Sequence, residues 1–376
     1  MTDERVLAER LIGYETSRPE AIVAAAQFVK GWLEVSGITV SEIDHHGLPV
    51  LIAEVGARDP KAPCVVFHGH LDVVPGLDHQ FSARIEGDRL IGRGAYDMKG
   101  GLAAMLSALR DVAADHSVRV RMVVVPDEES EELDERSTDA IVARGLGGDF
   151  AITGEPTDLH IGIQAKGVLA MRIAVHGRAA HSSTPWLGDN AVLKAVDVFR
   201  TIETLPFSRE SSEMFDRPSI NLSRIEGGDA INKVPDLATI AVDVRYLPGQ
   251  DPGDILAQVR AIPGIDVART FIHPAVGVSR HDPYVRGLCD AARRSIHGEV
   301  TSVGRDGASD AASFIEAGIS AVEFGPTGGG HHGPDEWVSM RSLAEYRRAL
   351  VEFVRALPAA LAGDDGELRA IDGGLA

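Results

Sequence analysis

Phe67 to Gly76 reads FHGHLDVVPG. An apolar run that begins at Cys64 is interrupted by two histidines and an aspartate, then closed by Pro75 and Gly76. A strand with this composition belongs in a core, so the polar groups at its end need a reason. Either neighbours satisfy them or they hold something. Residues two apart on a strand point the same way, so His68, His70 and Asp72 share a face. The C-terminal ends of strands are where open α/β sheets place their sites. A metal-binding imidazole usually gives its other ring N–H to a carboxylate, and Asp72 is placed to do that for His70. A polar strand end without a ligand is the plainer alternative.

The segments around this strand set the fold class. Residues 3–17 and 19–36 have apolar residues recurring at three and four, as helices do. Strand-like runs follow at Ile38–Ile43, Val50–Val55 and Cys64–Phe67. KGGLAAMLSALRDVAAD, Lys99 to Asp115, is a helix by spacing and by its Ala and Leu content. RVRMVVVP reads as a buried strand, Thr138–Arg144 contains a helix, and Phe150–Thr153 is another strand. Strands alternating with helices predict an α/β unit with a mostly parallel central sheet.

The pattern changes near Gly167. VLAMRIAVHG alternates like a half-buried strand, Asn190–Glu203 reads as a helix, and SINLSRIEGG and TIAVDVRYLP are two more alternating strands. A helix at Asp254–Ala261 and a strand at Ile265–Phe271 complete a β-α-β-β-α-β order, which predicts an inserted α+β domain of ferredoxin-like type. The α/β pattern then resumes, with helices at Asp282–His297 and Arg341–Leu361 and a strand at Ala321–Phe324. The expected organisation is therefore 1–167, first part of one domain; 168–276, an insertion; and 277–376, the second part of the first domain. The tail GDDGELRAIDGGLA is polar and Gly-rich and reads as frayed.

Bulk properties narrow the function. The chain has 376 residues, more than one ordinary core accommodates. Its net charge of −19 argues against a nucleic-acid or anionic-membrane partner, since both need a basic face. Cys64 and Cys289 make neither a disulfide framework nor a metal knuckle, which fits a reducing cytoplasm. MTDERVLAERLIGYE lacks the basic start and apolar stretch of a secretory signal, and no window reads as a membrane helix.

Further candidates lie at comparable places. In GRGAYDMKGG, Asp97 stands just before a helix start, where it is either an N-cap or a ligand on a Gly-flanked turn. In PDEESEELDERSTD, the later acids Glu131, Glu132, Asp134 and Glu135 read as solvated surface. Glu128 and Glu129 come directly after a buried strand, so one carboxylate can bind metal while the other stays free as a base. Glu155 of GEPT follows the strand FAIT in the same way. GPTGGGHHGPDEWV has no GK[ST] to make a phosphate cradle, and supplies imidazole from His331 or His332 instead. His70, Asp97, Glu129, Glu155 and a C-terminal histidine form a mixed nitrogen and oxygen ligand set suited to Zn²⁺, with Mn²⁺ or Co²⁺ as alternatives. Five ligands exceed one tetrahedral zinc with an open position. They match two ions about 3.5–4 Å apart that share one carboxylate.

In order along the chain, HGHLDVVP, GRGAYDMKGG, PDEE, GEPT and HHGPDEWV resemble the motifs of the M20 family of zinc-dependent peptidases and deacylases, which includes acetylornithine deacetylase, succinyl-diaminopimelate desuccinylase and carboxypeptidase G2. The resemblance spans nearly the whole chain. It implies a zinc-peptidase-like catalytic domain with an inserted lid and dimerisation domain. It implies two Zn²⁺ per subunit, one held by His70 and Glu155, the other by Glu129 and His332, with Asp97 bridging. His332 is chosen over His331 because the family's last ligand directly precedes a short x-Pro-Asp-Glu step. Asp72 orients His70, and Glu128 is the general base that takes a proton from water and returns it to the leaving amine. GRAAHSSTP is similar to the family's dimer motif, which implies that His181 reaches the partner subunit's site and stabilises the oxyanion. Asn232 in INKVPD and Arg245 in VDVR match lid positions that contact a substrate carboxylate. By composition alone, His181 reads as a surface histidine and Arg245 as an exposed strand residue.

One segment departs from the family. GASDAASF, Gly307 to Phe314, resembles its Gly-x-Ser-Asp segment, yet Ala311, Ala312 and Ser313 stand where many desuccinylase-like members carry an Arg. That weakens the expectation of a doubly acidic substrate, and Arg305 is the nearest upstream cation. The expected activity is hydrolysis of the amide bond of N-acyl amino acids by a cytoplasmic homodimer, with an M20 carboxypeptidase or dipeptidase acting on short peptides as the alternative. A metal-binding pseudoenzyme is disfavoured because a structural metal site does not need Glu128. A serine hydrolase is disfavoured because no G-x-S-x-G elbow occurs.

Overall fold

The fold is described from a computed structural model, which describes residues 3–130 and 136–372; side chains are not described at 268–270 and 363–372. The acids Glu131, Glu132, Asp134 and Glu135 lie outside the described residues. The chain divides into two compact units. One comprises Met1–Ile163, Val278–Val303 and Ser309–Ala376, and the other Gln164–Gly277 and Gly304–Ala308.

The first unit starts with helices α1 (Asp3–Ile12) and α2 (Pro19–Val35), then strands β1 (Val40–His45), β2 (Leu48–Gly56), β3 (Cys64–His70), β4 (Arg84–Glu86) and β5 (Arg89–Ile91). Helix α3 (Lys99–Asp111), β6 (Arg119–Val125), α4 (Ser137–Ala143), β7 (Phe150–Thr153) and β8 (Ile161–Ala165) follow. In the main sheet the strands lie in the order β1-β2-β6-β3-β7, then the later strand β15 (Ser320–Glu323), then β8. Neighbours β6, β3, β7 and β15 are parallel, whereas β2 and β8 run against them. Strand β3 is buried at every residue because it is central and covered on both faces, which explains its unbroken apolar run. Helix α3 packs on β3 and against α1, and it is buried from Lys99 to Leu109. Its glycines permit this closeness: a Cβ on Gly101 would come 2.6 Å from the carbonyl oxygen of Gly154.

The second unit carries β9 (Gly167–His176), α5 (Ala191–Ile202), β10 (Ser219–Gly227), β11 (Leu237–Tyr246), α6 (Pro252–Arg260) and β12 (Ile265–His273). Its antiparallel sheet has the order β10-β11-β9-β12. Alternate residues of β9 and β11, such as Leu169, Met171, Ile173, Ile240 and Val242, meet Phe199 and Ile202 of α5 and Val259 of α6 in a core of its own. Asn190 and Asp251 cap the two helices with side-chain bonds to backbone N–H groups.

After the short β13 (Val276–Gly277), the chain adds α7 (Pro283–Ser295), β14 (Ser302–Arg305), α8 (Ala311–Glu316), β15, β16 (Gly328–Gly329), β17 (Trp337–Ser339) and α9 (Met340–Asp372). β16, β17, β5 and β4 form a small antiparallel sheet. Several boundaries differ from the sequence reading. The first helix stops at Ile12 rather than residue 17, and α3 at Asp111 rather than Asp115. In place of the expected frayed tail, α9 continues through Asp372, although the added stretch opens with Gly363, Asp364, Asp365 and Gly366, which are poor helix formers. Residues 373–376 of that tail lie outside the described residues. No helix among the described residues is long and apolar enough to cross a membrane.

Candidate metal centre

The parallel strands end in register. His70 of β3 pairs with Val125 of β6, His68 with Thr153 of β7, and Thr153 with Glu323 of β15. The segments leaving these four C-terminal ends therefore emerge on one edge of the sheet. They carry Asp72, Glu128 and Glu129, Glu155, and the pair His331 and His332. Asp97 comes from the turn before α3. Sequence-distant residues converge because the sheet aligns strand ends, not because they are close in the chain.

His70 is fully buried. Its Nδ1 lies 2.9 Å from the backbone carbonyl oxygen of Asp72, which can only accept, so Nδ1 carries the proton. Nε2 then faces two carboxylates, Asp97 Oδ1 at 3.1 Å and Glu155 Oε1 at 3.8 Å. The carboxylate of Asp72 lies 3.5 Å from Nδ1. That carboxylate accepts the backbone N–H of Glu128 at 3.2 Å and of Glu129 at 2.7 Å. It thereby fixes the segment on which both glutamates sit. The other oxygen of Asp97 is 2.5 Å from Nε2 of His331 and 3.2 Å from Nε2 of His332. His332 also reaches Glu129 Oε1 at 3.0 Å. Both histidines approach Asp97, and His332 reaches Glu129 as well. His332 adopts φ 56°, a left-handed conformation unusual for a side-chain-bearing residue and typical of functional sites.

Charge crowding at the site is severe. Burial, reinforced by Asp97 and Glu323, pushes the Glu155 carboxyl well above its usual range. Burial pushes Glu128 up to about 8, with Asp310 and Asp97 adding to it and the charges of His70 and Arg136 opposing it. Burial alone would lower His70. Its bonds to Asp72 and Asp97 and the charge of Glu155 outweigh that, and hold it well above the ordinary imidazole value. The bonds to Asp97 and Glu129 raise His332 to about 10.

This donor set fits a metal ion. Oε1 of Glu155 is buried without a hydrogen-bond partner and lies 3.8 Å from Nε2 of His70, the nitrogen that a cation would engage on displacing its proton. Among the described residues, three groups bring donor atoms within 4.8 Å of one another: Asp97 with His331 and His332, His70 with Asp97 and Glu155, and His70 with Glu128 and Glu129. Asp97 belongs to two of them. A cation would relieve the carboxylate repulsion and use the unpartnered oxygen.

His68, on the same strand, is a packed neighbour. It is fully buried, its Nε2 bonds Thr138 Oγ1 at 2.9 Å, and burial lowers it to about 4, so the ring is neutral. The other site candidates lie in the second unit. His181 is exposed, and its Nδ1 accepts from Ser183 N at 3.2 Å, which leaves the proton on Nε2 in the neutral ring. Asn232 is exposed and its backbone carbonyl oxygen accepts from Ser182 N at 3.0 Å, so it is a neighbour of His181. Arg245 lies on β11 with Nε 3.1 Å from Asp243 Oδ2.

Sequence reasoning passed over Glu336. Its buried carboxylate accepts from Arg93 Nη1 at 2.9 Å, Gly94 N at 3.0 Å, Tyr96 N at 2.9 Å and Asp97 N at 3.0 Å. One acid thus holds the whole turn that presents Asp97. The available signal was GRGAYD itself, a tight Gly-flanked turn whose backbone donors need an acceptor. Arg136 and Asp310 were also passed over; they lie beside Glu128.

The sequence pattern of Peptidase family M20/M25/M40 matches residues 66–356. A succinyl-diaminopimelate desuccinylase from Acidiphilium cryptum (strain JF-5) is 28% identical over 373 residues, covering 93% of this chain and 97% of that protein. Among solved structures, an aminopeptidase from Bacillus cereus ATCC 10987 matches with TM-score 0.77 and 21% identity, covering 95% of this chain and 99% of that one. An M20 family metallo-carboxypeptidase from Sulfolobus solfataricus also matches with TM-score 0.77 and 21% identity, covering 96% of this chain and 100% of that one. With candidate ligands converging at the strand ends and the family pattern matching most of its length, the chain is an enzyme of Peptidase family M20/M25/M40.

Proposed function

We propose that the protein hydrolyses the amide bond of N-acyl amino acids, in the manner of a deacetylase or desuccinylase, with two Zn²⁺ per subunit. The observation that carries this is the convergence of His70, Asp97, Glu155, Glu129 and His332, with the carboxylate of Glu128 set beside them. His70 and Glu155 would hold one ion, Glu129 and His332 the other, and Asp97 both. When bound, the ions supply Lewis acidity that polarises the substrate carbonyl and acidifies water. Asp72 orients His70 and anchors the backbone of Glu128 and Glu129. Glu128 takes the proton of the attacking water and passes it to the leaving amine. In this reading Glu128 is the carboxylate at the cluster left free to act as base. Nε2–H of His181, supplied from a partner subunit, donates to the oxyanion. Asn232 and Arg245 contact the substrate carboxylate. Supporting this part of the reading are the exposure of His181, its proton on Nε2, and the likeness of GRAAHSSTP to the family's dimer motif. The second unit would then act as lid and dimerisation domain, in a cytoplasmic homodimer whose substrate is a small N-acyl amino acid.

The deciding experiment is release of free amine from N-succinyl-diaminopimelate, N-acetylornithine, other N-acyl amino acids and a few dipeptides, each with added Zn²⁺ and with chelator. Chelator-sensitive release from acyl substrates is the expected outcome. Faster release from dipeptides would move the assignment to a peptidase, and no release from any substrate would refute the hydrolase reading for this class. Glu128→Gln is expected to retain its metal by elemental analysis and to lose at least ~100-fold in kcat, the scale of a lost general base.

A further inference from the structure

Glu128 sits beside a second set of charges that the reaction scheme leaves unused. Arg136, just ahead of α4, places Nη1 3.4 Å from Glu128 Oε1 and 3.1 Å from Asp310 Oδ1. The two acids lie far apart in the chain, and one guanidinium nitrogen joins them. Asp310 is itself anchored: it is buried, its other oxygen accepts the Thr138 hydroxyl, and Nε2 of the neutral His68 lies 3.4 Å from that oxygen. Thr138 in turn bonds His68. The arrangement is therefore a relay of contacts from β3 through α4 and the start of α8 to one carboxylate oxygen.

A general base must present one oxygen at hydrogen-bond distance from the reacting water. A glutamate side chain has several rotamers and loses much of its freedom when held. A guanidinium is permanently charged and planar, so it holds a carboxylate oxygen with more directional control than an ammonium. On the reading of Glu128 as the base, we propose that Arg136, braced by Asp310, is its positioning residue, gripping Oε1 so that Oε2 faces the substrate. Arg136 touches neither substrate nor ion in this role.

The test compares Arg136→Gln and Arg136→Lys with the native enzyme, alone and in the Glu128→Gln background. The expected result for Arg136→Gln is full metal content, KM within about twofold, and kcat lower by roughly 10- to 100-fold, as for a misplaced catalytic group. Lysine recovers part of kcat. In the Glu128→Gln background the same substitution adds no loss, because both changes remove one function. An additive loss in that background, or a loss carried by KM or metal content alone, overturns the proposal. A crystal structure of Arg136→Gln decides it without turnover: the Glu128 carboxylate leaves its native position or splits between rotamers. An unmoved carboxylate overturns the positioning role. An enzyme inactive on every substrate, or Glu128→Gln with native kcat, instead overturns the reading on which the proposal rests.

Discussion

Glu336 shows how much of a site depends on a residue with no chemical role of its own. Its two oxygens accept three backbone N–H groups and the Arg93 guanidinium, and its side chain is 1% exposed. A buried carboxylate is tolerable only when its lone pairs are used this fully. Replacing it with glutamine removes the charge facing Arg93 and sets an NH₂ group against backbone donors. Glu336→Gln is expected to cost about 3 kcal/mol, as for a broken buried ion pair, read from the denaturant midpoint. It should also weaken metal binding through Asp97, read by titration with Zn²⁺. The candidates were legible in the sequence by type and place: His70, Glu129 and Glu155 as ligands and Glu128 as the base each follow a recognisable strand, and Asp97 precedes a recognisable helix. Glu336 and Asp310 were not, because their partners at the site lie more than a hundred residues away, and Arg136 was not, because its contact with Glu128 exists only once the chain has folded.

At the scale of elements, the strand read at Cys64–Phe67 and the helix read at Lys99–Asp115 were recognisable by their apolar content, and the structure sets their ends at His70 and Asp111. The short strands β4, β5, β16 and β17 were not. Two or three residues carry no period, and they are strands only because a neighbour supplies the other half of the ladder. The packing of α3 beneath the site has a direct consequence. A methyl group at position 101 meets the backbone carbonyl of Gly154, the residue before Glu155, and backbone cannot rotate away as a side chain can. Gly101→Ala is expected to destabilise by ~1–3 kcal/mol and to loosen metal binding by displacing Glu155, measurable as a lower denaturant midpoint together with a weaker Zn²⁺ titration.

At the scale of the molecule, the chain is built as two units, each with its own core. Residues 164–277 expressed alone are expected to unfold cooperatively in urea, since α5, α6 and the four-stranded sheet enclose Leu169, Ile173, Phe199 and Ile240 without help from the other unit. A non-cooperative transition would show that this core depends on the rest of the chain. The proposed donation by His181 predicts complementation. His181→Ala and Glu128→Gln, each inactive alone, should recover up to roughly a quarter of native activity when equal amounts exchange subunits, because about half the dimers are then mixed and each has one intact site. No recovery after verified exchange would mean that the site is not completed in trans. The amino-acid sequence by itself determined the α/β class and the residue types able to bind metal, because periodicity and chemistry are local properties. Tertiary structure alone decided which nitrogen of His70 faces the carboxylates, which carboxylate oxygen lacks a partner, and which distant acids hold the Asp97 turn and brace Arg136. Those depend on strand register and burial, and register aligns residues that the chain keeps far apart.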